Sequence, residues 1–207
     1  MMDNGAFNDF CREQRRKIVD WPLWSTGKGV IMTLKLDLGC GRFKKEGFVG
    51  LDIEKYKGVD KIIDLRKGLP YKDNSVDEIY TNHFLEHLEI EDVVRVIKEI
   101  HRVCKPGAKV MIRVPHFSGR WAFYEFHKTF FRHDSFRDFI EGNDDCMTNV
   151  KFRLVSRKIR FPRKRYPWNV MVQKIANACP EFYEDTFMKS LFPAFDLEFV
   201  FSVVKEK

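Results

Sequence analysis

The chain has 207 residues, 44% of them hydrophobic and 32% charged, the proportions of a soluble globular domain large enough for a full core. No apolar run reaches the eighteen or so residues of a membrane span, the N-terminus lacks a signal-peptide core, and Cys11, Cys40, Cys104, Cys146 and Cys179 show no C-x-x-C spacing. Neither a disulfide framework nor a cysteine zinc site is suggested, and a reducing, cytoplasmic setting is expected. The net charge of +7 is local, because Lys151 to Arg165 holds eight basic residues and no acid, leaving −1 on the rest of the chain.

Residues 1–33 read as an N-terminal helical extension, with a helix over Asn8 to Val19, Pro22 just beyond it, and Trp21 and Trp24 available to pack on the main domain, 34–207. The domain opens on Leu34 to Ile53. Leu34, Leu36 and Leu38 alternate along a strand that stops at Gly39-Cys40-Gly41, and a second apolar run, Phe48 to Leu51, stops at the acid Asp52. Glycines at a strand end let the backbone turn sharply and approach a ligand, and an acid at the end of the next strand can accept both hydroxyls of a ribose. A dinucleotide site would prefer G-x-G-x-x-G, but Lys44 stands at the third glycine, and Asp37 occupies a position that is normally apolar there. A cofactor carrying an ammonium and a sulfonium suits a carboxylate better than a pyrophosphate does. Only ten residues separate Gly41 from Asp52, too few for a full crossover helix plus a strand.

A third short strand, Val59 to Asp64, precedes the turn-rich Gly68 to Ser75. Val76 to Asn82 follows as a fourth strand, leading into His83-Phe84-Leu85-Glu86-His87-Leu88. Ile90, Val93, Val94, Ile97, Ile100 and Val103 recur at helical steps, Lys105-Pro106-Gly107 ends that helix, and Ala108 to Val114 reads as a fifth strand with Pro115 and His116 at its carboxyl end.

With these stretches in view, the sequence resembles the class I methyltransferases that depend on S-adenosylmethionine (SAM), of the type-11-like kind. DLGCG stands as the first motif, followed by D-x-I-Y-x-x-H-x-L-E-H-L and by helix, K-P-G, strand. The resemblance implies an α/β, three-layer Rossmann-like fold whose mostly parallel seven-stranded sheet has an antiparallel last strand. It implies SAM as cofactor, held by Asp37, Gly39, Cys40, Gly41, Asp52, Ile53, Asp64, Leu65, Asn82 and His83, with Asp64 or its neighbour meeting the adenine amino group. A base is needed if the acceptor is a hydroxyl or a protonated amine, and His116 and His83 lead the candidates, ahead of His127; Tyr124 could position the acceptor instead.

Two histidines at i, i+4 with Glu86 beside the second invite a metal reading, but H-x-x-E-H lacks a clear third ligand and no metal is expected. From Phe117 to Phe139 nine of twenty-three residues are aromatic, suited to core and to an apolar acceptor pocket alike. Lys151 to Phe161 alternates apolar with basic, with a slip at Ser156-Arg157 that suggests a bulge. A helical insertion spans 167–192, and Leu197 to Val204 closes the sheet. The basic stretch suits RNA phosphates, an anionic surface or a protected sheet edge. A small-molecule or glycan acceptor is preferred; an RNA methyltransferase or a non-catalytic SAM-binding interaction module stands as the alternative, and exposed aromatics suggest a homodimer.

Overall fold

The structure, a computed structural model, describes residues 33–140, 150–162 and 167–205. The expected N-terminal helix lies outside the described residues, as do Arg163, Lys164 and Arg165. Seven strands form one sheet: β1 (Lys35–Leu38), β2 (Val49–Asp52), β3 (Lys61–Ile62), β4 (Val76–Asn82), β5 (Cys104–Pro115), β6 (Lys151–Arg160) and β7 (Asp196–Val204). Their order is β3-β2-β1-β4-β5-β7-β6; β7 runs antiparallel to both β5 and β6, and every other pair is parallel.

The long helix α1 (Ile90–Val103) connects β4 to β5 and buries Val93, Val96, Ile97, Ile100 and Val103, one stripe at three- and four-residue steps. Each such side chain contributes about 1.5–3 kcal/mol when taken from water. The stripe packs on Ile79, Val110, Ile112 and Phe201 in the main core, while Phe48, Tyr80, Met111 and Val200 form a smaller buried cluster. Strand β5 starts earlier than periodicity suggests. Cys104 already pairs with Val76, and the ladder slips before resuming at Lys109 opposite Glu78, so the K-P-G turn is looped out within the strand. Gly107, at φ +77°, supplies the backbone conformation this requires.

No helix joins β1 to β2. Asp60 closes the connection instead, accepting the Gly50 N–H at 2.7 Å and pairing with Lys44 at 2.8 Å. Strand β3 is a two-residue edge, shorter than the expected run from Val59 to Asp64 because both its residues are exposed. The expected insertion folds as α2 (Asn169–Ala178), α3 (Pro180–Asp185) and α4 (Met188–Leu191). Strand β6 is the opposite edge of the sheet, and its register against β7 shifts between Leu154 and Ser156, next to the expected slip.

Candidate active site

Ligand-binding residues of a parallel sheet gather at the strands' carboxyl ends, and here the glycine turn sits above β1 and β2. The Gly39 and Cys40 N–H groups donate to the Leu51 carbonyl at 2.9 and 3.2 Å, and the Gly41 N–H donates to Asp52 Oδ2 at 2.8 Å. Asp52 Oδ1 accepts the Glu54 N–H at 3.0 Å, so the carboxylate is pinned in place while each oxygen keeps a further acceptor site. Gly39 and Gly41 both have positive φ, +62° and +52°. Their surroundings differ. A Cβ on Gly39 would lie 2.5 Å from the Phe84 side chain, whereas one on Gly41 would meet nothing within 4 Å. Gly41 thus faces open space beside Asp52, and Ile53, half exposed, stands next to it as an apolar surface with no apolar burial of its own.

The remaining expected cofactor residues divide. Asp37 is fully buried beneath the turn, where Oδ2 accepts the Lys45 N–H at 2.7 Å and so anchors the β1–β2 connection. The half-buried Lys45 ammonium lies over the Phe48 and Tyr80 rings, and burial pulls its pKa down to about 8 despite the Glu78 and Asp37 charges. Cys40 and Leu65 are core residues. Asp64 caps a short 3-10 turn and chelates Arg66 with both oxygens, which holds its pKa below the ordinary range. Asn82 is buried at the end of β4, and its Oδ1 has no hydrogen bond among the described residues.

Beyond β4 the chain enters a positive-φ residue, His83, at +54°, a conformation costly for a side chain with a Cβ. Two carboxylates hold it there: Nδ1 lies 3.0 Å from Glu86 Oε1 and Nε2 3.3 Å from Asp196 Oδ1. Burial opposes a charge on this ring, but Asp196 and Glu86 outweigh it and raise its pKa well above the usual value. His83 is an ion-paired imidazolium, protonated where a base must be free.

His116, the leading candidate for a base in the sequence, is also engaged. It is fully buried, Nδ1 accepts the Ser118 N–H at 3.1 Å and lies 2.9 Å from Ser118 Oγ, and Nε2 donates to Glu184 Oε1 at 3.0 Å. Glu184 also accepts the His133 N–H at 2.7 Å. The ring is a strut between β5 and α3, with neither nitrogen offered to a ligand. His127 and Tyr124 stand differently, in the segment after β5. Tyr124 is 44% exposed and its ring lies 5.5 Å from that of His127. Burial lowers the His127 pKa, so the imidazole is neutral near pH 7. Of the nine aromatics here, Phe131, Phe136 and Phe139 belong to the core, as one of the two expected roles requires, while Phe123, Tyr124, Phe126 and Phe130 are exposed.

Glu86, Glu184 and Asp196 were not among the expected site residues. Glu184 and Asp196 arrive from segments remote in sequence and give no local signal. Glu86 stood in view inside H-x-x-E-H, but only its burial shows that it organises the loop.

Residues 36–112 match a family model described as a methyltransferase domain, and together with the sheet order and the glycine turn on Asp52 this match supports a class I SAM-dependent methyltransferase with SAM as its cofactor. Among solved structures, the fold is similar to a SAM-dependent methyltransferase from Archaeoglobus fulgidus (17% identity, TM-score 0.53, 82% of this chain and 86% of that one). It is similar also to geranyl diphosphate C-methyltransferase from Streptomyces coelicolor (11%, 0.53, 83% and 74%) and to a putative methyltransferase solved with the Trm112 activator of Haloferax volcanii (18%, 0.50, 85% and 84%). No curated protein matches the chain in sequence. Among the described residues, no helix is long and apolar enough to cross a membrane.

Proposed function

We propose that this domain transfers a methyl group from SAM to an oxygen or nitrogen atom of a small-molecule or saccharide acceptor. The observation that carries the reading is the clamp of Gly41 on Asp52 beside the exposed Ile53: a carboxylate fixed for a ribose, an open glycine face and an apolar surface for a base, side by side. Gly39 and Gly41 would form the backbone cradle, Asp52 would accept the ribose hydroxyls, and Ile53 would pack on the adenine. Asp37 would act through the turn it anchors, and Asn82 would wall the site from β4. Cys40 and Leu65 would shape the cradle from beneath, while Asp64 would reach the adenine amino group by giving up part of its Arg66 pairing. When bound, SAM supplies a methyl already activated by its sulfonium, so the chain's own work is placement and, for a hydroxyl or ammonium acceptor, taking up a proton.

On the acceptor side, His83 would orient Glu86 as a positioning residue, and Tyr124 would aim the acceptor oxygen. His127, beside Tyr124, is held neutral by its burial. His116 would support the site through α3. The basic stretch favours the small-molecule reading over RNA, because Arg157 donates to the His133 carbonyl at 2.7 Å and Arg160 pairs with Glu198 at 2.5 Å, leaving fewer cations for phosphates. Similar folds belong to a phosphoethanolamine N-methyltransferase and a geranyl diphosphate C-methyltransferase, enzymes named for acceptors so different that fold alone names none.

Calorimetric titration with SAM, S-adenosylhomocysteine and NAD tests the cofactor site. Binding of the first two, weakened about tenfold or more by Asp52→Asn with folding unchanged, is expected. NAD binding, or SAM binding untouched by that variant, would reject the assignment. Radiolabelled methyl transfer across saccharide, small-molecule and RNA panels then identifies the acceptor; binding without turnover on any of them would favour an interaction module.

A further inference from the structure

The structure brings one ligand atom each of Glu86, His87 and His127 within 4.8 Å of one another, and we propose that these three side chains form a site for a first-row divalent transition-metal ion of the zinc class. The expectation of no metal rested on H-x-x-E-H lacking a third ligand. Folding supplies it, from forty residues away in the aromatic segment.

Three observations support a built site. Glu86 is 1% exposed, and while Oε1 meets His83, Oε2 is buried with no hydrogen-bond partner among the described residues. An orphaned carboxylate oxygen of this kind calls for a ligand. Next, His127 Nδ1 is likewise buried and without a partner there. Last, His87 Nδ1 lies 3.3 Å from the Phe126 carbonyl, the contact that fixes the tautomer of a metal-binding histidine and leaves Nε2 as the lone pair.

The backbone holds the two segments in register. The Lys128 and Thr129 N–H groups donate to the Glu86 carbonyl at 2.7 and 3.2 Å, and Thr129 Oγ1 donates to the Leu88 carbonyl at 2.7 Å. Ligand atoms on one such ion lie about 3–4 Å apart, so closure needs side-chain rotations of about 1 Å and no movement of the chain. Two imidazoles and one carboxylate select zinc, cobalt, iron or manganese over magnesium and calcium. Three protein ligands leave positions for water or an acceptor oxygen, and the exposed His87 places them toward solvent beside Tyr124 and Phe126. There His127 would be a ligand and not a base, and the ion would lower the pKa of a bound acceptor hydroxyl, whose proton would pass to solvent water on the exposed His87 side. That role rests on the methyl-transfer reading; the site itself does not.

The test is titration of the untagged full chain, freed of metal by chelation, with Co2+ and Zn2+ and without SAM. One equivalent should bind, with a Co2+ visible spectrum of mixed nitrogen and oxygen ligation. His127→Ala and His87→Ala should each weaken binding roughly 100-fold or more, and Mg2+ should not compete. His87 is exposed, so its variant is expected to fold, and thermal unfolding of each variant separates lost ligation from lost structure. Absence of binding at millimolar ion, or binding unchanged in both histidine variants, would overturn the proposal. Because SAM is absent, failure of the cofactor reading leaves this result readable.

Discussion

The two glycines of the first turn carry different duties, and substitution separates them. Gly39→Ala forces a Cβ into Phe84 at a positive φ, a strain plus overpacking that should cost about 2–4 kcal/mol in thermal or urea unfolding. Gly41→Ala meets no neighbour, so it should cost only about 1 kcal/mol of stability while obstructing the proposed cofactor face, read as weaker SAM binding. His133 provides a pH signature. Burial and the Arg157 cation, opposed by Glu184 and Asp134 and aided by His116, push its pKa down to about 4. The unfolded chain therefore takes up that proton first as pH falls below about 6.5, and the stability present above that pH is lost toward pH 4. His133→Gln should flatten this part of the stability curve, by on the order of 1–2 kcal/mol once solvent access is allowed for. The motif residues were legible because glycine turns and strand-end acids are local patterns. The fates of His116 and His83 were not, since Glu184 and Asp196 fold back on them from sixty or more residues away.

At the scale of elements, the β5–β7–β6 end depends on one buried network. Arg113 and Arg160 both pair with Glu198 at 2.5 Å, and Arg113 is 2% exposed. Glu198→Gln leaves a buried guanidinium without its counter-charge and should destabilise the domain by about 3–5 kcal/mol in chemical denaturation, an outcome distinguishable from Glu198→Asp, which keeps the charge. Strand β6 is an edge of the sheet that Ile140 bridges at Phe152 and Asn177 covers at Ile159, and Lys151 and Lys158 are exposed along it; such cations guard an edge against pairing with another chain. Replacing both with threonine should leave stability within about 0.5 kcal/mol but raise self-association in light scattering. Helix α1 and β4 were readable from periodicity alone. The start of β5 was not, because Lys105-Pro106-Gly107 reads as a terminator, and only the pairing of Cys104 with Val76 shows that the strand begins before the turn.

For the whole molecule, cofactor binding and stability are coupled: if only the folded chain binds SAM, a concentration of 100 times the dissociation constant should add about 2.7 kcal/mol, seen as a rise in melting temperature that Asp52→Asn diminishes. The mostly parallel seven-stranded sheet with its antiparallel last strand was implied by the resemblance the motifs carry, and the structure has it. The acceptor side did not follow. Its groups come from β4, the aromatic segment and the start of β7, and no spacing within any one of them foretells their meeting.

Phe84 leaves no room for a Cβ at Gly39 and so sets the proposed cofactor turn against the loop after β4, which bears His83, Glu86 and His87. Neither can shift far without the other. An acceptor that draws this loop inward would also tighten the grip on the spent cofactor, so the two products should leave in a fixed sequence, the methylated one first. S-adenosylhomocysteine would then behave as an inhibitor competitive with SAM but not with the acceptor, a pattern that initial-rate kinetics resolves directly.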